Sequence, residues 1–195
     1  MRPLAFTFPY FLIWGVAFLW AMFRESRIIR RAREGVKAGA PADRGSLLAV
    51  MLTQALGFGA AFTLAWAPWG RFADQRASFW IGLAVYIGGA VLRRMCFRAL
   101  GQWFTGEVRV LPEQQIVTAG PYRWVRHPSY TAGILLVAGM SLILGTWLGT
   151  IIATSLATIG YLYRVRVEEA ALVSTLGAPY VDYSARTRRF IPFVI

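Results

Sequence analysis

Charge is scarce in this chain, and acidic charge is scarcest. Charged residues make up 15% of the 195, and only nine of them are Asp or Glu. A typical soluble domain carries about 25% charged residues. The shortage is uneven: long charge-free runs alternate with short basic clusters, which excludes an ordinary soluble domain and matches a polytopic helical membrane protein. The single cysteine, Cys96, excludes an internal disulfide. No glycine-rich GxGxxG turn follows a strand-like run, so no dinucleotide-type site is signalled. No repeat, low-complexity segment or metal-ligand pattern is expected either.

What is present is apolar, 57% of the chain. Leu4–Phe23, Ser46–Trp69 and Ala77–Leu92 carry no charge, and the third run is expected to continue as helix past Arg93 and Arg94. Tyr130–Tyr163 is 34 residues without a charge, broken by Gly145-Thr-Trp-Leu-Gly149. One span needs about 20 residues, so this run reads as a tight helical hairpin with two short arms. The expectation is an all-α protein of about five transmembrane helices. It forms one membrane domain over residues 1–195, with three spans in 1–100 and the informative polar residues in 101–195. Residues 35–45 read as a loop by their Gly, Pro and Ala content. The first run has one Arg before it and a basic cluster after it, the reverse of a cleavable leader, so it reads as a retained span.

The basic residues set an expected orientation. Seven lie between Arg24 and Arg44, six between Arg93 and Arg126, and five between Arg164 and Arg189. With five spans these 18 share one side, against Arg2, Arg71 and Arg76 on the other. The positive-inside rule then places the N-terminus outside and the C-terminus, with any site near it, in the cytosol. The net charge of +12 calls for anionic membrane lipids rather than nucleic acid.

The only histidine, His127, stands in GPYRWVRHPSYTAG (120–133), just ahead of the hairpin. With Trp147 as the middle of the turn, His127 lies 20 residues before it and Glu168 lies 21 after. Equal arms mean equal heights, so the Arg126-His127-Pro128 segment should meet Glu168 and Glu169. The second arm is expected to end at Leu176, before Gly177 and Pro179. Arg164 and Glu168, four apart, share a face, and Glu169 points about 100° away. Pro128 suits a first helical turn and disfavours helix at His127. Taken singly, Arg123 and Arg126 read as interfacial cations, the aromatics as a membrane belt, and the Glu pair as surface charge. Together, ionisable groups of both signs at one height favour a polar site.

These residues resemble a known family. RHPSY (126–130), an apolar hairpin and Glu168-Glu169 are similar to the signature of the isoprenylcysteine carboxyl methyltransferases and phospholipid methyltransferases, membrane enzymes that use S-adenosylmethionine. Residues 166–192 resemble the family's C-terminal segment and 115–120 its approach to the motif; the likeness covers about half the chain. It implies a cofactor site at Arg126, His127, Pro128, Tyr130, Glu168 and Glu169, with Tyr122 beside them and Tyr180, Tyr183 and Arg189 closing it. Arg126, His127 and Glu168 would act by positioning, and Tyr130 would stand at the boundary between pocket and lipid. Two departures bear on the acceptor: Ala132 followed by Gly133 replaces a Gly often found two residues after the motif Tyr, and an upstream His is absent. The resemblance implies methyl transfer to a lipidic or lipid-anchored acceptor, first a carboxylate. A carboxylate is already ionised near pH 7 and needs no base. An amine or phospholipid acceptor would need one, from Glu168, Glu169 or His127. A sterol-type reductase using NADPH shares the RHP motif, but such chains are usually longer. A small transporter is disfavoured because the first two spans hold no ionisable residue.

Overall fold

The structure is a computed structural model that describes residues 2–35, 43–104 and 115–190, with backbone alone for 24–35 and residue 102. Six α-helices are found among the described residues: α1 (Tyr10–Gly35), α2 (Ser46–Trp66), α3 (Gln75–Leu100), α4 (Pro128–Ile143), α5 (Trp147–Leu176) and α6 (Ala178–Arg186). Three of them, α2, α3 and α5, start where a short polar side chain satisfies free backbone N–H groups. The Asp43 carboxylate accepts from Ser46 Oγ and Leu47 N at the head of α2. Asp74 accepts from Arg76 N and Ala77 N at the head of α3. Thr146 Oγ1 accepts from Gly149 N at the head of α5. The third helix runs past Arg93 and Arg94 to Leu100, and α5 ends at Leu176 before Gly177, both as the sequence predicts.

Two expectations shift. The hairpin turn centres on Gly145, two residues before Trp147, because Thr146 caps α5 and Trp147 is already its first residue. The fifth span, expected short, lies in a helix that is long and apolar enough to cross a membrane, because the 30 residues of α5 run without a break through the charged stretch beyond Tyr163 to the predicted end at Leu176. Three helices, α2, α3 and α5, are long and apolar enough to cross a membrane. The apolar parts of α1 (Tyr10–Phe23) and α4 are shorter. The rest of the expected loop, 36–42, lies outside the described residues.

In hydrocarbon, helices gain little from hiding apolar surface from one another; close packing of small residues brings them together. Here α3 packs chiefly on α4, and α2 on α5. Gly82 and Gly139 let α3 and α4 touch backbone to backbone: a Cβ on Gly139 would lie 2.5 Å from Tyr86 N, and one on Gly82 would lie 2.6 Å from Ile143 N. Ser78 Oγ donates across the same seam to Leu142 O. Ala61, Ala65, Ala153 and Ala157 line the buried seam between α2 and α5. Leu48, Leu52, Leu56, Ile151 and Ile159 point outward, as side chains facing lipid do. At one end of the bundle the α2–α3 turn is stitched to the hairpin turn, with Thr146 Oγ1 donating to Gly70 O and Phe72 N to Gly145 O. Every residue of α4 is buried or half-buried, so this helix is the centre of the bundle.

Gly139→Ala should therefore destabilise the protein by about 1–3 kcal/mol, the usual cost of overpacking. Gly88→Ala, where a Cβ would meet nothing within 4 Å, should be neutral. Unfolding midpoints in detergent check the pair; equal midpoints would mean that the α3–α4 seam is not tight.

Candidate functional site

Three segments converge at the opposite end of the bundle: the irregular stretch before α4, the charged part of α5, and the tail after α6. The tail runs parallel to residues 124–127, with Arg126 N and His127 N donating to Arg188 O (2.7 Å) and Arg189 O (3.0 Å) and Arg188 N returning to Trp124 O. Thr131 Oγ1 donates to Phe190 O, and Tyr183 OH to Tyr122 O. The Arg126 guanidinium donates to Ser184 O and Thr187 O, the free carbonyls at the end of α6. Its Nε donates to Glu169 Oε1 at 3.0 Å.

His127 and the Glu pair meet as the hairpin arithmetic predicts. Pro128 begins α4, and His127 before it has φ −124° and ψ 51°, outside the helix. The imidazole is 4% exposed, with Nδ1 3.4 Å from Glu168 Oε2 and Nε2 3.3 Å from Glu169 Oε1. Both ring nitrogens face a carboxylate, and only the doubly protonated ring can donate to both. Burial pushes the imidazole down. The hydrogen bonds and charges of Glu168 and Glu169 outweigh burial and leave its pKa above the ordinary value of 6.5.

The two carboxylates divide their partners. Glu169 is held by Arg126, His127 and Arg189, whose Nη2 donates to Oε2 at 2.9 Å. Glu168 Oε2 accepts from Tyr130 OH at 2.7 Å, while Oε1 has no partner among the described residues. Tyr130 OH in turn accepts from Arg164 Nε, and Arg164 Nη1 reaches Asp43 Oδ1 and Ser46 Oγ, so the head of α2 is tied to the same cluster.

A pocket of about 490 Å³, open to solvent, lies against this cluster. Of the predicted site residues, Tyr122, Arg126, His127, Glu168, Tyr180 and Tyr183 line it. Pro128, Tyr130, Glu169 and Arg189 do not; they stand behind it and hold the lining in place. Leu100, Trp103, Leu172 and Leu176 line it as well, with Gln115, Ile116 and Val117. Leu172 and Leu176 follow Glu168 at four-residue spacing, a signal of a shared face that sequence reasoning passed over. The Tyr180 hydroxyl is buried without any hydrogen-bond partner among the described residues. Burial, with the nearby charges of Glu169 and Glu168, holds its phenol well above the usual tyrosine value, so it keeps its proton. Burial also pushes Tyr183 up to about 12, against the opposing charge of Arg126.

On the membrane side lies a second cavity of about 850 Å³, lined by Phe18, Met22, Phe58, Val137 and Met140, with Gln54, Arg93 and Tyr161 as its polar members. Between the two cavities stands a column of stacked rings. His127 and Tyr130 lie 5.5 Å apart and Tyr130 and Tyr161 lie 5.1 Å apart, centroid to centroid.

The raised pKa of His127 has a thermodynamic signature. A pKa raised by folding stabilises the protein in full below the ordinary value of 6.5, and that contribution is lost as pH rises through the raised value. The unfolding midpoint of the wild type should exceed that of His127→Gln at about pH 5.5, and the gap should shrink toward about pH 9. A constant gap would mean that folding leaves the imidazole pKa unshifted, and a gap that widens as pH rises would mean that folding lowers it.

The isoprenylcysteine carboxyl methyltransferase (ICMT) family model matches residues 80–174. A probable protein-S-isoprenylcysteine O-methyltransferase of Oryza sativa subsp. indica is 29% identical over 117 residues, 59% of this chain and 61% of that protein. The protein-S-isoprenylcysteine O-methyltransferase of Tribolium castaneum is 34% identical over 116 residues, 58% of this chain and 41% of that one. The chain thus spans less than two thirds of the length of these relatives. The solved structure of the eukaryotic intramembrane Ras methyltransferase ICMT superposes with a TM-score of 0.55 at 26% identity, over 74% of this chain and 52% of that chain. In sequence between residues 80 and 174 and in fold across about three quarters of its length, this integral membrane protein is a relative of the isoprenylcysteine carboxyl methyltransferases.

Proposed function

We propose that the protein is a membrane methyltransferase that moves a methyl group from S-adenosylmethionine to the carboxylate of a lipidic or lipid-anchored acceptor. One observation carries the reading: a solvent-open pocket with unsatisfied polar atoms and an apolar membrane-side cavity lie on either side of one column of rings. A charged, soluble reactant and a lipid could meet there without either leaving its own phase.

The lining suits the donor. Glu168 leaves one carboxylate oxygen free of the Tyr130 hydrogen bond, and the Tyr180 hydroxyl is buried without a partner among the described residues. A carboxylate there can hold an ammonium or ribose hydroxyls, and a phenol that keeps its proton can donate to a carboxylate or a ring nitrogen. Trp103, Tyr122 and Tyr183 offer faces for a purine or a cation. Bound there, S-adenosylmethionine supplies an electrophilic methyl on a positively charged sulfur. The chain's own part is placement and exclusion of water. Arg126 locks the end of α6 against Glu169, so Tyr180 and Tyr183 face the pocket. Arg93, lining the other cavity, is the cation for an acceptor carboxylate.

The protonation states favour a carboxylate acceptor over an amine. His127 is buried between two carboxylates that raise its pKa, so its proton is held by both and the ring is already engaged on either side. Glu168 Oε2 is engaged by Tyr130 and His127. A nucleophile that is ionised already asks neither of them to take a proton.

Glu168→Gln should weaken S-adenosylmethionine binding on the order of ten- to a hundredfold, the loss of one charge-assisted hydrogen bond. Tyr180→Phe should weaken it less and leave the fold intact, since its hydroxyl bonds nothing within the protein. Equilibrium binding of labelled donor to the detergent-purified protein, with NADPH as competitor, checks both. Unchanged affinity in both variants, or displacement by NADPH, would refute the assignment. A lipid-extract assay with labelled donor then identifies the product.

We also infer that the site faces the cytosol, from the 18 basic residues gathered on its side. A reporter joined after Ile195 should be active only in the cytosol. Activity only on the outer side would reverse the topology.

A further inference from the structure

Arg164 is a buried cation placed between two carboxylates, Glu168 and Asp43. It stands four residues before Glu168 on α5, so the two share a face. Left to charge alone, they would close into an ion pair. Instead the Tyr130 hydroxyl stands between them, accepting from Arg164 Nε at 3.0 Å and donating to Glu168 Oε2 at 2.7 Å. The other end of the guanidinium is turned to Asp43, with Nη1 donating to Oδ1 at 3.0 Å. The Arg164 side chain is 7% exposed and that of Asp43 18%. Water and salt screen such a pair weakly, so the choice between the two carboxylates is a strong one.

Asp43 lies outside the matched stretch 80–174 and lines neither cavity. Its place is nevertheless built. The turn that carries it passes through Arg44 at φ 45° and Gly45 at φ 75°, and a residue with a Cβ rarely adopts the first of these. Tyr163, next to Arg164 on α5, holds that turn by donating its hydroxyl to Arg44 O at 3.0 Å. The head of α2 orients the carboxylate itself, with Ser46 Oγ donating to Oδ1 and Leu47 N to Oδ2. Capping alone does not call for a charge, since Asn or Ser caps a helix about as well as Asp. The charge of Asp43 faces Arg164.

We propose that Asp43 is a positioning residue for the donor pocket: it draws the Arg164 guanidinium to the head of α2, away from Glu168, and so leaves the Glu168 carboxylate to the cationic part of the donor. A neutral residue at position 43 releases Arg164 toward the next carboxylate. Glu168 is then neutralised from behind, and the Tyr130 hydroxyl loses its place between the two. Asp43 acts on the pocket through Arg164 without touching it. This rests on the solvent-open pocket being the donor's place.

The test measures labelled S-adenosylmethionine binding to the detergent-purified full chain. Asp43→Asn keeps the cap and removes the charge, and it should weaken binding about tenfold, as the loss of one charge-assisted contact does. Adding Arg164→Gln to Asp43→Asn should bring binding back to within about threefold of the wild type, since no cation is left to redirect. A merely structural role for Asp43 would not be rescued by a second substitution. Tyr163→Phe, which loosens the turn and leaves Asp43 on Arg164, should bind as the wild type does. Should Asp43→Asn fail to fold, Asp43→Ser, which also caps, takes its place. A second measurement needs no donor. At about pH 5.5 the stability that His127 adds over His127→Gln should be smaller in the Asp43→Asn background, because Glu168 then serves Arg164 as well, and should return with Arg164→Gln. Undiminished binding by Asp43→Asn, a loss that Arg164→Gln does not restore, or an equal loss in Tyr163→Phe overturns the proposal. Absence of donor binding by the wild type would overturn the methyltransferase reading instead. The His127 measurement then decides alone: a contribution that shrinks and returns upholds the hold of Asp43 on Arg164, and an unchanged one overturns it.

Discussion

The meeting of His127 with Glu168 and Glu169 is the constraint on which the rest of the site depends. It joins residues 41 and 42 positions apart, one just ahead of α4 and the others on α5, through a buried imidazole that faces both carboxylates. A buried charge is costly alone and tolerable when paired and hydrogen-bonded. Each group here is therefore held by the next. Glu169 gathers Arg126 and Arg189 and so secures the tail; Glu168 takes Tyr130 and so reaches Arg164, Asp43 and the head of α2. One cluster of charge fixes the relative positions of α2, α4, α5 and α6 at the end of the bundle where the pocket lies.

That dependence separates two kinds of site residue. Arg126, Glu169 and Arg189 are occupied by protein partners, and their effect on any ligand passes through the positions of α6 and the tail. Glu168 and Tyr180 line the pocket, and the Tyr180 hydroxyl is buried there without a partner among the described residues. The charged residues nearest the motif therefore act as scaffold as much as lining, and a phenol from α6 is among the better candidates for direct contact.

Much of this was legible in the sequence where rigid geometry governs. A helix rises by a fixed step, so counting out from the hairpin turn placed His127 level with Glu168 even though the turn was set two residues late. That offset came from Thr146, whose capping role competes with a reading that treats Gly145 through Gly149 as one break. The C-terminal extent of α5 was legible from Gly177. What could not be read is contact between segments with no common period. Asp43 and Arg164 lie in a loop and on a distant helix, and Gln54 is one neutral residue in an otherwise apolar run. The docking of Arg126 on the last carbonyls of α6 depends on how the tail folds back, which no local pattern encodes.

The brevity of α4 has a consequence for which helices cross the bilayer. Sixteen residues rise about 24 Å, less than the roughly 30 Å of a hydrocarbon core. None of its residues is fully exposed. A helix of that length cannot reach both headgroup layers at once, so α3 and α5, which pack on it and are longer, carry the crossing.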